Sequence, residues 1–98
     1  MSTASTSSTA LSTAPKELEA AEQGEATGQY NLGQCYMYGR GVTKDYVAAL
    51  MWANLAAVSG EEYAKKLGKL LERKMTAEQI AEAQRLSRDW KPRQHQGE

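Results

Sequence analysis

Residues 29–42 of this chain read QYNLGQCYMYGRGV. Apolar and aromatic side chains recur there every three or four positions, which is the spacing of one helix face. Gly39 and Gly41 follow at once, and glycine readily takes the positive φ angles that a short helix-to-helix turn needs. The pattern predicts a helix over residues 26–38 that ends at these glycines. The side chain of Val42 is predicted to pack into the core and to anchor the turn there. The predicted stripe contains Ala26, Tyr30, Gly33 and Met37, flanked by Leu32 and Tyr36.

The rest of the chain, from Lys16 onward, has the same helical spacing and no strand-like alternation. Thr76 and Gln79 have the spacing of a capping box, the reciprocal pair of hydrogen bonds that starts a helix. Gly24 fits a left-handed helix cap. We therefore predict an all-α fold with a leading half-helix and four full helices. Their approximate predicted ranges are Pro15 or Lys16 to Gln23, Ala26 to Tyr38, Lys44 to Ser59, Glu61 to Lys74 and Ala77 to Trp90.

The predicted helix over residues 44–59 is apolar on two sides, which indicates that it lies between neighbouring helices. One side carries mostly alanine, and Trp52 on the other is expected to face the junction between units. The two later helices are each amphipathic. Their predicted core stripes are Tyr63, Ala64, Leu67, Leu70 and Leu71 for the first, and Ile80, Ala83, Leu86 and Trp90 for the second.

An internal repeat connects two parts of the chain. Residues 20–24 read AAEQG and residues 56–60 read AAVSG, so the alanine pair and the glycine recur at an offset of 56 minus 20, or 36 positions. A period of about 34 to 40 residues with two helices in each unit is typical of stacked helical solenoids. The chain then holds a trailing half-repeat, one full helix pair and a degenerate closing pair.

These positions together resemble the Sel-1-like repeat, a tetratricopeptide-like pair of helices. The resemblance covers residues 20–60, and Met75 to Trp90 looks like the closing piece that often follows the last repeat in bacterial members. Gly28, where the family usually has Ala, and Thr43, where it often has Pro, depart from the pattern. The matching positions are Gln29, Tyr30, Asn31, Leu32, Gly33, Tyr36, Gly39, Arg40, Gly41, Val42, Asp45, Ala49, Trp52, Ala56, Ala57 and Gly60.

The resemblance implies an α-α superhelix that acts as a scaffold by holding a protein or peptide partner, without catalysis. Two of its positions also have a physical reason of their own. Gly33 inside a helix costs about 1 kcal/mol relative to Ala, so we expect it to let a neighbouring helix approach closely. Asp45 sits where a carboxylate favours the amino end of the second helix.

Composition and the resemblance divide the chain into three parts. Residues 1–15 are almost entirely Ser, Thr and Ala, and we expect this leader to be disordered. Residues 16–91 form the repeat domain, with the full repeat at about 25–60 and a closing helix pair at 61–90, and residues 92–98 form a polar tail. No signal-peptide pattern and no membrane-spanning stretch is visible, so we expect a soluble protein and favour the cytoplasm.

The charges of the chain balance, with 12 Lys plus Arg against 12 Asp plus Glu. No overall positive field attracts nucleic acid or an anionic membrane, so we expect neither as a partner. Cys35 is the single cysteine, which excludes a disulfide within the chain and a cluster of thiolate metal ligands. We predict that it is a small buried hydrophobe. His95 is the single histidine and falls in the polar tail, so we expect no catalytic residue, no cofactor and no metal.

Two alternatives stay open. In one, the chain is a small enzyme or an accessory domain of an enzyme, in which Cys35 or the carboxylates are active. In the other, it is a self-assembling structural unit, because solenoids usually need about three or more units and this chain has one complete pair. A homodimer or a stack would then form through the amino-terminal end, where only Leu18 and Ala21 shield Tyr30.

The candidate binding residues are Asn31, Gln34 and Tyr38. The resemblance implies that the first helix of each pair lines the concave side of the stack, and these three residues are the polar stripe of that helix. We predict that they contact the partner. An ordinary solvated surface is the alternative, since every amphipathic helix has a polar side.

Overall fold

A computed structural model describes residues 17–92 of the chain. This part of the chain is all-α, as predicted, and contains no strand. The predicted leader and nearly all of the predicted tail lie outside the described residues. The helices are α1 (17–22), α2 (Ala26–Tyr38), α3 (Tyr46–Val58), α4 (Glu62–Glu72) and α5 (Ala77–Asp89).

A carboxylate cap sets the start of α3. Asp45 has an extended backbone, and its Oδ1 accepts a hydrogen bond from the amide of Ala48 at 3.2 Å. Such a cap satisfies one of the amide donors that the first turn of a helix leaves unpaired. The predicted position of Asp45 at the amino end of the helix is therefore confirmed. α3 begins two residues later and ends one residue earlier than the range of about Lys44 to Ser59 that was predicted for it.

The later helices are also shorter than predicted. Glu61 is the N-cap of α4, with its Oε2 3.4 Å from the amide of Tyr63, and the chain leaves the helix before Lys74. α5 ends at Asp89 because Trp90 has an extended backbone. Helical periodicity places these ends only to within a residue or two, since caps and not side-chain spacing fix them.

The start of α5 has the predicted capping box. The amide of Gln79 donates to Thr76 Oγ1 at 3.1 Å, and the amide of Thr76 donates to Gln79 Oε1 at 3.0 Å. Two backbone donors at the exposed start of the helix are satisfied in this way, which fixes where α5 begins.

α3 is the central helix and packs against α2, α4 and α5. One of its sides faces a core cluster around Leu50, and another faces a second cluster around Trp52. The ring of Trp52 meets that of Trp90 edge-on, at 5.7 Å between centroids. The predicted position of this helix between neighbours is confirmed. The first cluster contains Met37, Ala49, Leu50, Ala53, Leu67, Leu71 and Ala83, and the second contains Ala21, Leu32, Cys35 and Trp52.

α2 and α3 approach each other closely at Gly33. A Cβ added to this residue would lie 3.2 Å from the carbonyl oxygen of Ala49 and 3.5 Å from the backbone nitrogen of Ala53. Both are backbone atoms of α3, so they cannot yield without moving the helix. The predicted role of Gly33 is confirmed, and the close contact offsets the helix-propensity cost of glycine.

Two residues predicted in the core stripe of α4 lie outside it. Tyr63 is 62% exposed and Leu70 is 37% exposed. Ala64 and Leu71 are buried as predicted, and Gly68 is buried with them. The buried side of α4 is therefore centred on these three residues. Tyr63 and Leu70 lie at its outer edge.

The 36-residue repeat is visible in the backbone of two turns, at residues 20–25 and 56–61. In each turn the amide of the last residue donates to the carbonyl of the first, at 3.1 Å and 2.9 Å respectively. Gly24 and Gly60 occupy the same position in the two turns, with φ angles of 91° and 104°. Residues with a Cβ rarely adopt such angles, so both turns need glycine. The same turn is used twice along the chain.

Gln29 joins three elements of the fold. Its side chain is buried, and its Nε2 donates to the carbonyl oxygen of Ala21 in α1 at 3.3 Å. Its Oε1 accepts from the hydroxyl of Ser59, the C-cap of α3, at 3.4 Å. A buried amide with both ends bonded avoids the penalty of an unsatisfied polar group, so Gln29 holds α1 and the end of α3 against α2.

α1 lies against α2 at Gly28. It ends at residue 22, and Gln23 belongs to the following turn and not, as predicted, to the helix. A Cβ added to Gly28 would lie 2.6 Å from Ala20 Cβ and 3.0 Å from the backbone nitrogen of Ala21. The first distance is shorter than real Cβ contacts and the second is unusually tight against a backbone atom, so glycine is needed here for α1 to pack. The departure from the family pattern at this position therefore has a steric reason.

We expect Gly28→Ala to lower the free energy of unfolding by about 1–3 kcal/mol, because the added methyl group pushes α1 away from α2. Gly68→Ala is the matched control on α4, since its Cβ would meet Leu50 Cδ1 at 3.6 Å, an ordinary contact. Alanine favours a helix over glycine, so the control should be unchanged or more stable by up to about 1 kcal/mol. Urea denaturation followed by circular dichroism measures both, and a gain in stability for Gly28→Ala would contradict the packing of α1.

Candidate interaction surface

The outward side of α2 has no charged side chain, and neither does any other part of that helix. The structure places Asn31, Gln34 and Tyr38 together on this side, the first two half-buried and Tyr38 56% exposed. The centres of protein interfaces are depleted in charge and enriched in tyrosine relative to ordinary surface. The composition of this side of α2 therefore resembles an interface more than a solvated helix face.

α4 lies beside α2 and extends the same side of the molecule. The rings of Tyr30 and Tyr63 are 6.4 Å apart between centroids, and Leu67 Cδ2 lies 3.4 Å from where a Cβ of Gly33 would be. Because positions advance together along the two helices, α2 and α4 run parallel. Gln34 Nε2 donates to the Tyr30 hydroxyl oxygen at 3.2 Å, which restrains the Tyr30 ring next to α4.

Tyr63 and Leu70 complete this surface. The register of the two parallel helices places Leu70 within about two residues of the level of Tyr38, near their carboxyl-terminal ends. Tyr38, Tyr63 and Leu70 are three of the five large apolar residues that are exposed within residues 17–92. We name this surface the α2–α4 face. It comprises Tyr30, Asn31, Gln34, Tyr38, Tyr63, Lys66 and Leu70.

Tyr63 and Leu70 were predicted to lie in the core and not on the surface, because apolar side chains at helical spacing usually form the buried side of a helix. A signal for the correct assignment is present in Gly68. A small residue in phase with Ala64 and Leu71 marks the side on which α4 meets α3, and Tyr63 lies about a third of a turn from the centre of that side.

Two tyrosines of the α2–α4 face each lie under a cation. Arg40 Cζ is 5.1 Å from the centroid of the Tyr38 ring, and Lys66 Nζ is 5.8 Å from that of Tyr63. Contacts of this kind at exposed sites are worth about 0.5–1 kcal/mol. They hold positive charge at the edges of a surface whose first helix has none.

Cys35 is buried in the second core cluster, with 4% of its surface exposed. Burial raises the pKa of its thiol, against a smaller lowering by Arg40, and Glu17 raises it further. Reactive cysteines need the opposite environment, in which an accessible thiolate is stabilised. The prediction that Cys35 is a small buried hydrophobe is confirmed, and its environment argues against the alternative in which it acts as a nucleophile.

The other residues that could take part in catalysis or metal binding are carboxylates and the single histidine. Glu61, which is one of two adjacent carboxylates, caps α4 with its side chain. Within residues 17–92, no group of three or more His, Cys, Asp or Glu side chains is placed to hold a metal ion. His95 lies outside the described residues. No helix in the described part of the chain has the length and apolar character needed to cross a membrane.

The comparisons with known proteins bear on the first helix pair. Residues 26–60, which contain α2, α3 and the turn after them, match the family model of the Sel1 repeat. Searches of the curated proteins and of the solved structures gave no significant match. The matched segment holds Asn31, Gln34 and Tyr38 of the α2–α4 face, and α4 follows it.

We expect Cys35 in the native protein to react slowly with a maleimide at neutral pH, and to react fully once the chain is unfolded in urea. Burial shields the sulfur and raises the pKa of the thiol, so little thiolate is available. Mass spectrometry of the labelled chain over time measures the rate, with glutathione at the same pH as the control. A native thiol that reacts as fast as glutathione would restore the enzyme alternative.

Proposed function

Because this chain is a Sel1 repeat protein, we propose that it is a non-catalytic module that holds a protein or peptide partner against its α2–α4 face. Sel1 repeats generally mediate protein–protein interactions, and the family is typically not enzymatic. A protein partner is therefore the class of ligand that the repeat suggests. The position of the contact on this chain is the part that we propose.

The observation that carries the proposal is the distribution of exposed apolar side chains. Tyr38, Tyr63 and Leu70 share the α2–α4 face, whereas Leu18 and Val58 lie singly on α1 and α3. Single exposed apolar residues are normal on a protein surface, but a group of them within one surface is typical of an interaction site. The group lies on two parallel helices, which suits it to a partner that runs along both of them.

The polar residues of the face support the same function. Tyrosine and tryptophan contribute large contact areas at a low cost in side-chain entropy, and tyrosine also offers a hydroxyl for hydrogen bonding. Asn31 and Gln34 place amide donors and acceptors between Tyr30 and Tyr38. The hydrogen bond between Gln34 and Tyr30 fixes both side chains before a partner binds, which lowers the entropic cost of binding.

Self-association through the amino-terminal end stays a prediction. Leu18 is exposed on α1 and offers apolar surface there. Glu17 and Glu19 flank it and carry negative charge, which opposes an isologous contact between two copies of this end. The charge of α1 therefore favours a partner of another kind over a second copy of the same helix.

We expect the triple variant Asn31→Ala, Gln34→Ala and Tyr38→Ala to weaken partner binding by about tenfold or more, since few residues usually dominate the energy of an interface. Its melting temperature should stay within a few degrees of wild type, because none of the three side chains belongs to a core cluster. The measurement is quantitative mass spectrometry of proteins captured from the source cell on immobilised wild-type and variant chains.

The matched control for this experiment is a triple alanine variant on the exposed side of α5, at Glu78, Gln84 and Arg88. These positions are exposed on α5 and belong neither to the α2–α4 face nor to the core clusters. The control should capture the same proteins as wild type. Equal capture by the α2 variant and wild type would remove the α2–α4 face as the binding site.

A further inference from the structure

The carboxyl-terminal end of the α2–α4 face is basic. Arg40 follows α2, Arg73 and Lys74 follow α4, and all three residues are exposed. Because the two helices run parallel and in register, these cations lie at the same end of the face. Glu72 is the carboxylate nearest to Arg73 and Lys74 along the chain. It is half a turn out of phase with Tyr63 and so lies on the other side of α4.

The amino-terminal end of the face is acidic. Glu62 is the first residue of α4 and lies one turn before Lys66 of the face, and Glu25, the N-cap of α2, lies at the same end of the helix pair; both are exposed. Between the two ends α2 is uncharged and carries Tyr30 and Tyr38 of the face. Charge therefore changes from negative to positive along the roughly 20 Å that a 13-residue helix spans.

The guanidinium of Arg40 is positioned to receive a carboxylate. Its Cζ lies over the Tyr38 ring, at 5.1 Å from the ring centroid. A ring offers no strong hydrogen-bond acceptor, so the N–H groups of the guanidinium stay available for the two oxygens of a carboxylate. The ring also restrains the side chain, so less entropy is lost when the pair forms.

Building on the proposed function, we propose that the partner presents an extended acidic segment to this face. An apolar or aromatic side chain of the segment packs over Tyr30 and Tyr63, and a carboxylate about four residues away pairs with Arg40 and Lys74. The rise along α2 from Tyr30 to Tyr38, whose ring Arg40 lies over, is about 12 Å, which about four residues of extended chain cover at about 3.3 Å each. The acidic end of the face repels the carboxylate. Charge therefore orients the segment so that its carboxylate lies at the basic end of the face.

The experiment selects peptides from a random library of displayed dodecapeptides on the immobilised full-length chain. Selected peptides are synthesised, and their affinities are measured by isothermal titration calorimetry. We expect the enriched sequences to carry an apolar residue and an excess of Asp and Glu about four positions from it. Raising the ionic strength from about 0.1 M to about 1 M shortens the Debye length from about 10 Å to about 3 Å and should weaken their binding.

The test variant is Arg40→Gln with Lys74→Gln, which removes two cations from the basic end. The matched control is Lys65→Gln with Arg88→Gln, which changes the net charge equally but alters the outer side of α4 and α5. We expect the test variant to bind the selected peptides about tenfold more weakly than wild type, and the control to bind within about twofold. Thermal melts verify that both variants are folded.

The outcomes separate this inference from the proposed function. Acidic peptides that lose affinity in both the Arg40 and Lys74 variant and the α2 triple-alanine variant support it. Peptides that depend on the α2 residues but bind the charge variant as well as wild type would overturn the inference and leave the proposed function intact. A selection that yields no peptide sensitive to the α2 triple-alanine variant would overturn both.

Discussion

The backbone contact between Gly33 on α2 and Ala49 on α3 sets the distance between the two helices of the repeat. No side chain fills the space between them at that point, so the helices meet at a separation that any larger residue would increase. α3 also packs against α4 and α5, and its place beside α2 therefore determines where those helices lie. The α2–α4 face follows from this geometry, since Leu67 of α4 reaches the same Gly33 that receives α3.

Both ends of α2 are held by contacts that suit this arrangement. At its start, α1 packs on Gly28, and Gln29 bonds to both α1 and the cap of α3. At its end, the turn after Gly39 returns the chain to α3, and the amide of Asp45 donates to the carbonyl oxygen of Tyr36 at 2.9 Å. A helix fixed at both ends and along one side presents its remaining side as a rigid surface, which reduces the ordering that a partner must impose.

Much of the fold could be predicted because it rests on local signals: helical periodicity, turn glycines, a capping box and a 36-residue repeat. The bounds of helices were missed where a side chain such as Asp45 replaces a backbone partner, since periodicity does not register caps. The α2 part of the face could be predicted from the sequence because its residues share one helix. Tyr63 and Leu70 join it only through the packing of α4 beside α2, and Gly28 owes its importance to Ala20 in another helix. Contacts of this kind join residues of different helices, so the sequence of one helix alone does not predict them.

Photocrosslinking in the source cell tests most directly whether a partner covers the α2–α4 face. The photoreactive residue p-benzoylphenylalanine replaces either Tyr63, which is in the face, or Val58, which is 87% exposed on α3 and outside it. Both sites are accessible, so a difference between them reports where the partner lies. We predict a crosslinked partner from the Tyr63 position and none from the Val58 position. A crosslinked partner from the Val58 position, with none from the Tyr63 position, would contradict binding at the α2–α4 face.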